Sequence, residues 1–152
     1  MKKGILILLL WCTASWVSVA QFTPVSATPT QGIAKIVEGE VVLVKSFKVG
    51  DVFTIEYLNQ QKPYMKQYAS FSFEDLNGKA KQFYEALLSG FKQPSPTPLV
   101  FNTGKGSIVF EYGFAEPGKV TYVRLAQYDE QNRIAAFSVN LNGEHLKQVF
   151  GQ

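Results

Sequence analysis

Apolar and polar residues alternate along several short segments of this chain, and a period of two is typical of β-strands. Glycine, proline and asparagine residues separate these segments, as expected for turns. The pattern predicts four strands in the first half of the folded region, at residues 33–37, 41–47, 52–58 and 64–73. It predicts four more in the second half, at residues 99–101, 107–114, 120–128 and 134–139. We therefore expect a chain rich in antiparallel sheet.

Two other segments have the spacing of amphipathic helices. The first helix is predicted at residues 76–91, where apolar residues recur every three or four positions and form one stripe. This stripe consists of Leu76, Ala80, Phe83, Leu87 and Phe91. The proline-rich segment 94–98 prevents the helix from continuing. The second helix is predicted at residues 142–150 on the same grounds.

Each predicted half consists of four strands followed by a helix, which places the protein in the α+β class, with antiparallel sheets and two helices packed against them. The halves, residues 33–93 and 98–151, also align with each other at offsets of 65 to 67 positions. In this alignment ASFSF at 69–73 stands beside AAFSV at 135–139. The near-constant offset indicates an internal duplication, and the alternative is that two strand-rich halves match by pattern alone.

The order of elements resembles that of the Whirly and PUR families of single-stranded nucleic-acid binders. The resemblance lies in the order of elements and extends to no family motif in the sequence. It implies single-stranded nucleic acid as one alternative ligand, but a shared architecture does not assign a function.

The first twenty residues have the composition of a cleaved secretory signal peptide. Lys2 and Lys3 precede the apolar run at 5–11, and the small residues Ser18 and Ala20 stand before the expected cleavage site. A membrane span needs about 20 apolar residues, and polar residues interrupt this run earlier, so no transmembrane anchor is expected after cleavage. We therefore expect a secreted or periplasmic protein.

Removal of the signal would change the composition of the working protein. The single cysteine, Cys12, lies within the signal, so the mature chain would contain none and could form no disulfide. Loss of both signal lysines reduces 15 basic residues to 13 against 12 acidic ones, a formal charge of about +1. The Thr- and Pro-rich residues 21–32 are expected to form a flexible leader, followed by a single α+β domain at 33–152.

Alternation along the strands assigns their side chains to two faces. The expected core face consists of Phe53, Ile55, Tyr57, Ala69, Phe71, Phe73, Val123, Leu125, Ala135, Phe137 and Val139. The opposite face would carry aromatic and basic candidate ligand-binding residues, namely Tyr64, Lys66, Tyr68, Tyr122, Arg124 and Tyr128, with Glu56 at the position equivalent to Arg124. Such a face can stack on sugar rings or bases while its cations meet carboxylate or phosphate. The same residues also suit the wet side of a sheet or the contact surface of a homodimer.

The sequence specifies no catalytic residue, metal site or cofactor. His145 is the only histidine, and no Ser-His-Asp or Cys-His set accompanies it. Acidic residues stand together at 38 and 40, at 74–75 and at 129–130, beside turns or helix starts where they favour solubility or the helix dipole. Carboxylates from different loops could still meet in space as a hydrolase pair.

These observations favour an exported binding or interaction module over an enzyme. The first choice of partner is a protein or an envelope glycan held on the Tyr-rich basic face. A single-stranded nucleic-acid binder is the second choice, disfavoured by export and by a formal charge near +1, since phosphate-driven binding relies on clustered positive charge. A hydrolase that uses loop carboxylates is the third.

Overall fold

A computed structural model describes residues 28–152, which form two four-stranded antiparallel sheets and two helices. The first sheet consists of β1 (Thr30–Glu38), β2 (Val41–Val49), β3 (Val52–Leu58) and β4 (Tyr68–Glu74), and α1 (Lys79–Gly90) follows it. The second consists of β5 (Leu99–Asn102), β6 (Ser107–Glu116), β7 (Lys119–Tyr128) and β8 (Ile134–Phe137), followed by α2 (Gly143–Val149). Within each sheet, the strands pair in their order along the chain. The predicted α+β class, with two helices and antiparallel sheets, is confirmed.

The predicted signal peptide at residues 1–20 lies outside the described residues. β1 begins at Thr30 rather than at Ile33, so the end of the predicted leader belongs to the first sheet. Within residues 28–152, neither helix has the length and apolar character that crossing a bilayer requires.

β4 is shorter than predicted, because the chain turns before it. Residues Pro63–Met65 form a short 3₁₀ turn, and Lys66 follows with a left-handed φ of 47°. Pro63 favours this turn since its ring fixes φ near −65° and it has no N–H to donate to a strand. The prediction of a strand from residue 64 is therefore wrong, and Tyr64 and Lys66 lie outside the sheet.

α1 begins at Lys79 rather than at Leu76. Asn77 and Gly78 both adopt left-handed conformations, which redirect the chain between β4 and the helix. The Asp75 side chain reaches past this bend and its Oδ1 accepts a hydrogen bond of 2.8 Å from the Ala80 N–H. Leu76 remains 41% exposed and does not join the buried side of the helix.

The two sheets meet at a cluster of five phenylalanine rings, which we call the phenylalanine cluster. Its members are Phe71 and Phe73 of β4, Phe83 of α1, Phe101 of β5 and Phe110 of β6. The Phe83 ring lies 4.9 to 6.0 Å from the other four ring centroids. The sheet faces that meet here are called inner faces. They include the fully buried Phe53, Ile55, Tyr57, Val123 and Leu125, as predicted.

Each helix lies against the sheet of the other half. The Tyr112 hydroxyl on β6 donates to the Leu87 carbonyl oxygen at 3.0 Å, which fixes the second half of α1 on the second sheet. Ser46 on β2 donates to the Val149 carbonyl oxygen at 2.7 Å, and α2 packs on β1 and β2. The two halves therefore share one core, whether or not they arose by duplication.

The residues of β8 that face the core differ by one position from those predicted. A register shift in the β7–β8 pairing next to Gln127 inserts an extra residue, and such a bulge reverses the alternation of the strand. Ala136 and Ser138 are buried, whereas Ala135 is exposed and Phe137 turns to the opposite face. The prediction that Ala135 and Phe137 face the core is wrong for this reason.

Candidate functional site

The structure distributes the six predicted ligand-binding residues over three places. Tyr64, which is 98% exposed, and Lys66 lie at the turn before β4. Tyr68 lies on the outer face of the first sheet, at the start of β4. Tyr122, Arg124 and Tyr128 lie together on β7, in the second sheet. Within residues 28–152, no hydrogen bond or ring contact connects these last three with the first three.

The outer face of the second sheet brings together side chains from three strands. Alternation places Tyr122, Arg124 and Tyr128 on the side of β7 opposite to the buried Val123 and Leu125. The strand register sets Gly113 of β6 beside Tyr122 and Glu111 beside Arg124. Phe137 of β8 also reaches this face, next to Arg124. We call these six residues the β7 platform.

Arg124 is held in place from two directions. Its Nε donates a hydrogen bond of 2.8 Å to Glu111 Oε2 across the β6–β7 pair. Its guanidinium carbon lies 5.1 Å from the centroid of the Phe137 ring, within the range of a cation–π contact. The Arg124 side chain is still 34% exposed.

Glu111 also organises Tyr128. The Tyr128 hydroxyl donates a hydrogen bond to Glu111 Oε1, so one carboxylate accepts from both a phenol and a guanidinium. The hydrogen bond to Glu111 is the main cause that raises the pKa of Tyr128 above its usual value of 10.0. The phenol therefore remains a protonated donor at neutral pH.

The Tyr122 side chain packs over Gly113 of the neighbouring strand. A Cβ atom built on Gly113 would come within 2.0 Å of Tyr122 Cζ and 2.2 Å of its Cε2. The ring therefore occupies the space above Gly113 that a side chain would fill, and rests on the backbone of β6. A strand glycine covered by an aromatic ring in this way helps to fix the register of the two strands, and Tyr122 remains partly exposed to solvent.

The first sheet carries a related but different outer face. Lys45 Nζ lies 2.7 Å from Glu56 Oε1, at strand positions that correspond to Glu111 and Arg124 with the charges exchanged. Tyr68 stands beside this pair and donates its hydroxyl to the Val42 carbonyl oxygen at 3.0 Å. These residues border a depression of about 250 Å³. The depression is smaller than the roughly 300 to 1,000 Å³ of typical ligand pockets.

Two of the acidic residues that the structure describes, Asp75 and Asp129, are engaged in ways that oppose acid–base catalysis. Asp75 lies 2.9 Å from Lys48 and Asp129 lies 2.8 Å from Arg133. Hydrogen bonds to the Ala80 and Arg133 backbone amides, respectively, are the main causes that lower the pKa values of the two carboxyls. A general acid needs a raised pKa, so neither carboxyl suits that role at neutral pH.

The potential metal-ligating side chains are dispersed over the part of the chain that the structure describes. Residues 28–152 contain no group of three histidine, cysteine or acidic side chains placed to hold an ion. His145 lies on α2, where its main-chain N–H donates to the Asn142 side chain at 2.8 Å and caps the helix. The contact involves the His145 backbone alone, and the imidazole Nδ1 is buried without a hydrogen-bond partner within residues 28–152.

Glu111, Gly113 and Phe137 belong to the platform but were not among the predicted ligand-binding residues. Glu111 and Gly113 are recognisable only when the β6–β7 register is known, because each acts through the residue directly opposite. Alternation along the sequence assigns Phe137 to the core, because the bulge that turns it outward has no proline or glycine to mark it. A search for oppositely charged residues on paired strands could have found Glu111.

Comparison with known proteins gives no relative from which a function could be transferred. No protein-family model, no curated protein and no solved structure matches the chain. The assignment of a function therefore depends on the geometry of the surfaces described above.

Proposed function

We propose that this protein is an exported, non-enzymatic binding module that holds a glycan chain on the β7 platform. The observation that carries the proposal is the placement of the partly exposed Tyr122 ring over the backbone at Gly113. Because this ring is packed against backbone before any ligand arrives, little rotamer freedom is lost when a sugar ring binds to it.

The platform offers a second planar group at a suitable distance. Arg124 is two residues from Tyr122 on the same side of β7, a separation of about 7 Å along a strand. Its guanidinium is fixed by Glu111 and Phe137, and its Nη groups have no protein partner within residues 28–152. Tyr122 can stack on one sugar ring while Arg124 donates hydrogen bonds to hydroxyl or carboxylate oxygens of the next.

The charges of the platform favour a glycan over nucleic acid. Arg124 is its one cation, and Glu111 compensates it at 2.8 Å. Binding to a phosphate backbone gains affinity by releasing counterions from several phosphates, which requires several uncompensated cations. Lys66, the other predicted basic contact, lies at the turn before β4 rather than on the platform.

Retention on insoluble polysaccharides tests this proposal. Purified protein would be incubated with chitin, cellulose and peptidoglycan at 0.05 and 0.5 M NaCl, and the bound fraction measured. We expect at least one polysaccharide to retain the protein at both salt concentrations. Tyr122→Ala should weaken retention about tenfold, a difference of about 1.4 kcal/mol.

Two variants serve as controls for the position of the site. Tyr68→Ala removes a tyrosine from the outer face of the first sheet, and Tyr64→Ala removes one that is 98% exposed. Both should bind like the parent protein. Equal loss in Tyr68→Ala and Tyr122→Ala would contradict a site on the second sheet. Binding only to single-stranded oligothymidylate, with a steep loss at high salt, would replace the glycan by nucleic acid.

A further inference from the structure

Three of the four sheet edges in the described residues are protected against pairing with another strand. The β1 edge is interrupted twice, between Gly32 and Ala34 and between Ile36 and Val37, and it carries Lys35. The β5 edge is only four residues long. Irregular register, lysine and short length are devices by which proteins prevent edge-to-edge association.

The β8 edge is covered by the loop that follows β3. The Gln60 N–H donates to the Phe137 carbonyl oxygen at 2.9 Å. Gln61 Nε2 donates to the Ile134 carbonyl oxygen at 2.9 Å, and Asn59 Nδ2 to that of Ala135 at 3.3 Å. The carbonyl groups on the open edge of β8 thus accept hydrogen bonds from another part of the same chain.

β4 has none of these protections. It pairs with β3 over seven consecutive residue pairs without a register shift. Its sequence, YASFSFE, contains neither lysine nor proline. Within residues 28–152, no hydrogen bond reaches its other edge, since the only side-chain bonds from this strand join Ser72 to Thr54 and Tyr68 to Val42.

The phase of the β3–β4 ladder identifies the backbone groups on the open edge. The Asp75 N–H donates to Asp51 and the Asn59 N–H to Gln67, which marks both as hydrogen-bonded pairs. Hydrogen-bonded pairs alternate along antiparallel strands, so the N–H and C=O groups of Ser70 and Ser72 point away from β3.

These groups face a cleft between the two sheets. Four consecutive residues of β4, 70–73, line one wall of a hollow of about 480 Å³, and 101–103 line the other. An adjoining hollow of about 400 Å³ shares Phe71, Phe73 and Phe101. The cleft therefore has a strand edge on one side and phenylalanine rings at its base.

We propose that this cleft binds an extended polypeptide segment of a partner protein, which adds to the first sheet as a strand beside β4. The open N–H and C=O groups of Ser70 and Ser72 are the hydrogen-bonding complement of another backbone. Successive side chains of the added strand point to opposite faces of the sheet. One set contacts the phenylalanine cluster, and the other lies on the outer face, beside the Ser70 and Ser72 side chains. The segment is therefore apolar at every second position and polar between.

The residues that line the cleft leave room for a single extended strand and exclude a folded copy of this protein. Phe101 and Asn102 of the second sheet border the space beside β4, and the Phe101 ring lies 5.2 Å from the Phe71 ring. A single extended chain can enter between the sheets, whereas a whole domain would meet the second sheet first.

A display library of random ten-residue peptides tests this inference on the purified protein. We expect the selected peptides to have apolar residues at alternate positions and to slow amide exchange at Ser70 and Ser72. The variant Ser72→Pro removes the outward N–H and leaves the β3–β4 ladder intact, because that N–H does not donate to β3. It should weaken binding of a selected peptide about tenfold or more.

The matched control is Ser72→Ala, which loses the hydroxyl bonded to Thr54 but keeps the N–H. It should bind the selected peptide within about twofold of the parent protein. Failure to select alternating peptides, or equal binding by Ser72→Pro, would overturn the inference. A dimer in analytical ultracentrifugation that Ser72→Pro dissociates would overturn it in favour of a second copy. Tyr122→Ala should leave peptide binding unchanged, which separates this site from the platform.

Discussion

Ser46 donates its hydroxyl hydrogen to the Val149 carbonyl oxygen over 2.7 Å, and this bond joins two residues 103 positions apart. The acceptor lies in the last turn of α2, where carbonyl groups have no partner within the helix. Ser46 is 2% exposed, so water does not replace the bond easily. The contact connects the first sheet directly to the second helix.

Ser46→Ala should lower the free energy of unfolding by about 1 to 2 kcal/mol, because it leaves a buried carbonyl oxygen without its donor. Urea unfolding followed by circular dichroism measures the change. Ser70→Ala is the matched control, since Ser70 is exposed on β4, and it should change stability by less than about 0.5 kcal/mol. Equal effects would show that the bond to α2 contributes nothing.

Gly90→Ala should destabilise the protein by about 1 to 3 kcal/mol, although alanine normally favours a helix over glycine. A Cβ at this position would come within 2.2 Å of Tyr112 Cζ and displace the ring that donates to Leu87. Thermal unfolding measures the effect. Gly143→Ala, in α2, meets no atom within 4 Å and should leave the melting temperature unchanged or raise it. A stabilised Gly90→Ala protein would contradict the close packing of α1 on β6.

Asp75→Asn should lower stability at pH 7 by about 1 kcal/mol, because it removes the charge that interacts with Lys48 and the start of α1. The hydrogen bond from Ala80 and the contact with Lys48 lower the pKa of Asp75 below 3.8 in the folded protein. The stability that this carboxylate provides is therefore present above pH 3.8 and is lost as the pH falls through the lowered folded value.

Urea unfolding of the parent and Asp75→Asn proteins between pH 2 and 7 measures how the contribution of this carboxylate to stability depends on pH. The difference between them should be largest near neutrality and shrink below pH 3.8. Asp51→Asn is a suitable control, since Asp51 is exposed and contributes only its backbone to the turn. A constant difference at all pH values would rule out the charge as its origin.

Tyr57→Phe should stabilise the protein by about 1 kcal/mol at neutral pH, since the Tyr57 hydroxyl is buried and has no hydrogen-bond partner within residues 28–152. Burial also raises the pKa of Tyr57 to about 12. The unfolded chain ionises near pH 10.0 while the folded one stays neutral, so this tyrosine lowers stability between pH 10 and 12. Unfolding in urea at pH 7 to 11 measures this effect. The free energy of unfolding should fall less with rising pH for Tyr57→Phe than for Tyr64→Phe, which serves as the exposed control.

The strands and helices could be predicted because each has one buried and one exposed side, which leaves a period in the sequence. Phe53, Ile55 and Tyr57 show this, since their alternation with polar neighbours matches their burial. The boundaries were less predictable where local conformation overrides the pattern. The left-handed residues Lys66 and Asn77 delay β4 and α1, and neither residue type demands that conformation.

The candidate sites depend on contacts across strands, which the order of residues does not reveal. Tyr122 and Arg124 were predicted from alternation along β7, but Glu111 and Gly113 become partners only through the register with β6. The cleft beside β4 could not be predicted at all. It arises from the relative placement of two sheets, and the serines of YASFSFE show only that one side of the strand is polar.

The placement of α2 on β1 and β2 has a consequence for biosynthesis. A ribosome releases the first sheet well before the helix that covers part of its inner face, and the gap includes the whole second sheet. Until α2 emerges, the chain carries an incompletely covered apolar surface that other nascent chains or chaperones can contact. The sheet that is synthesised first is thus the last part of the protein to complete its core.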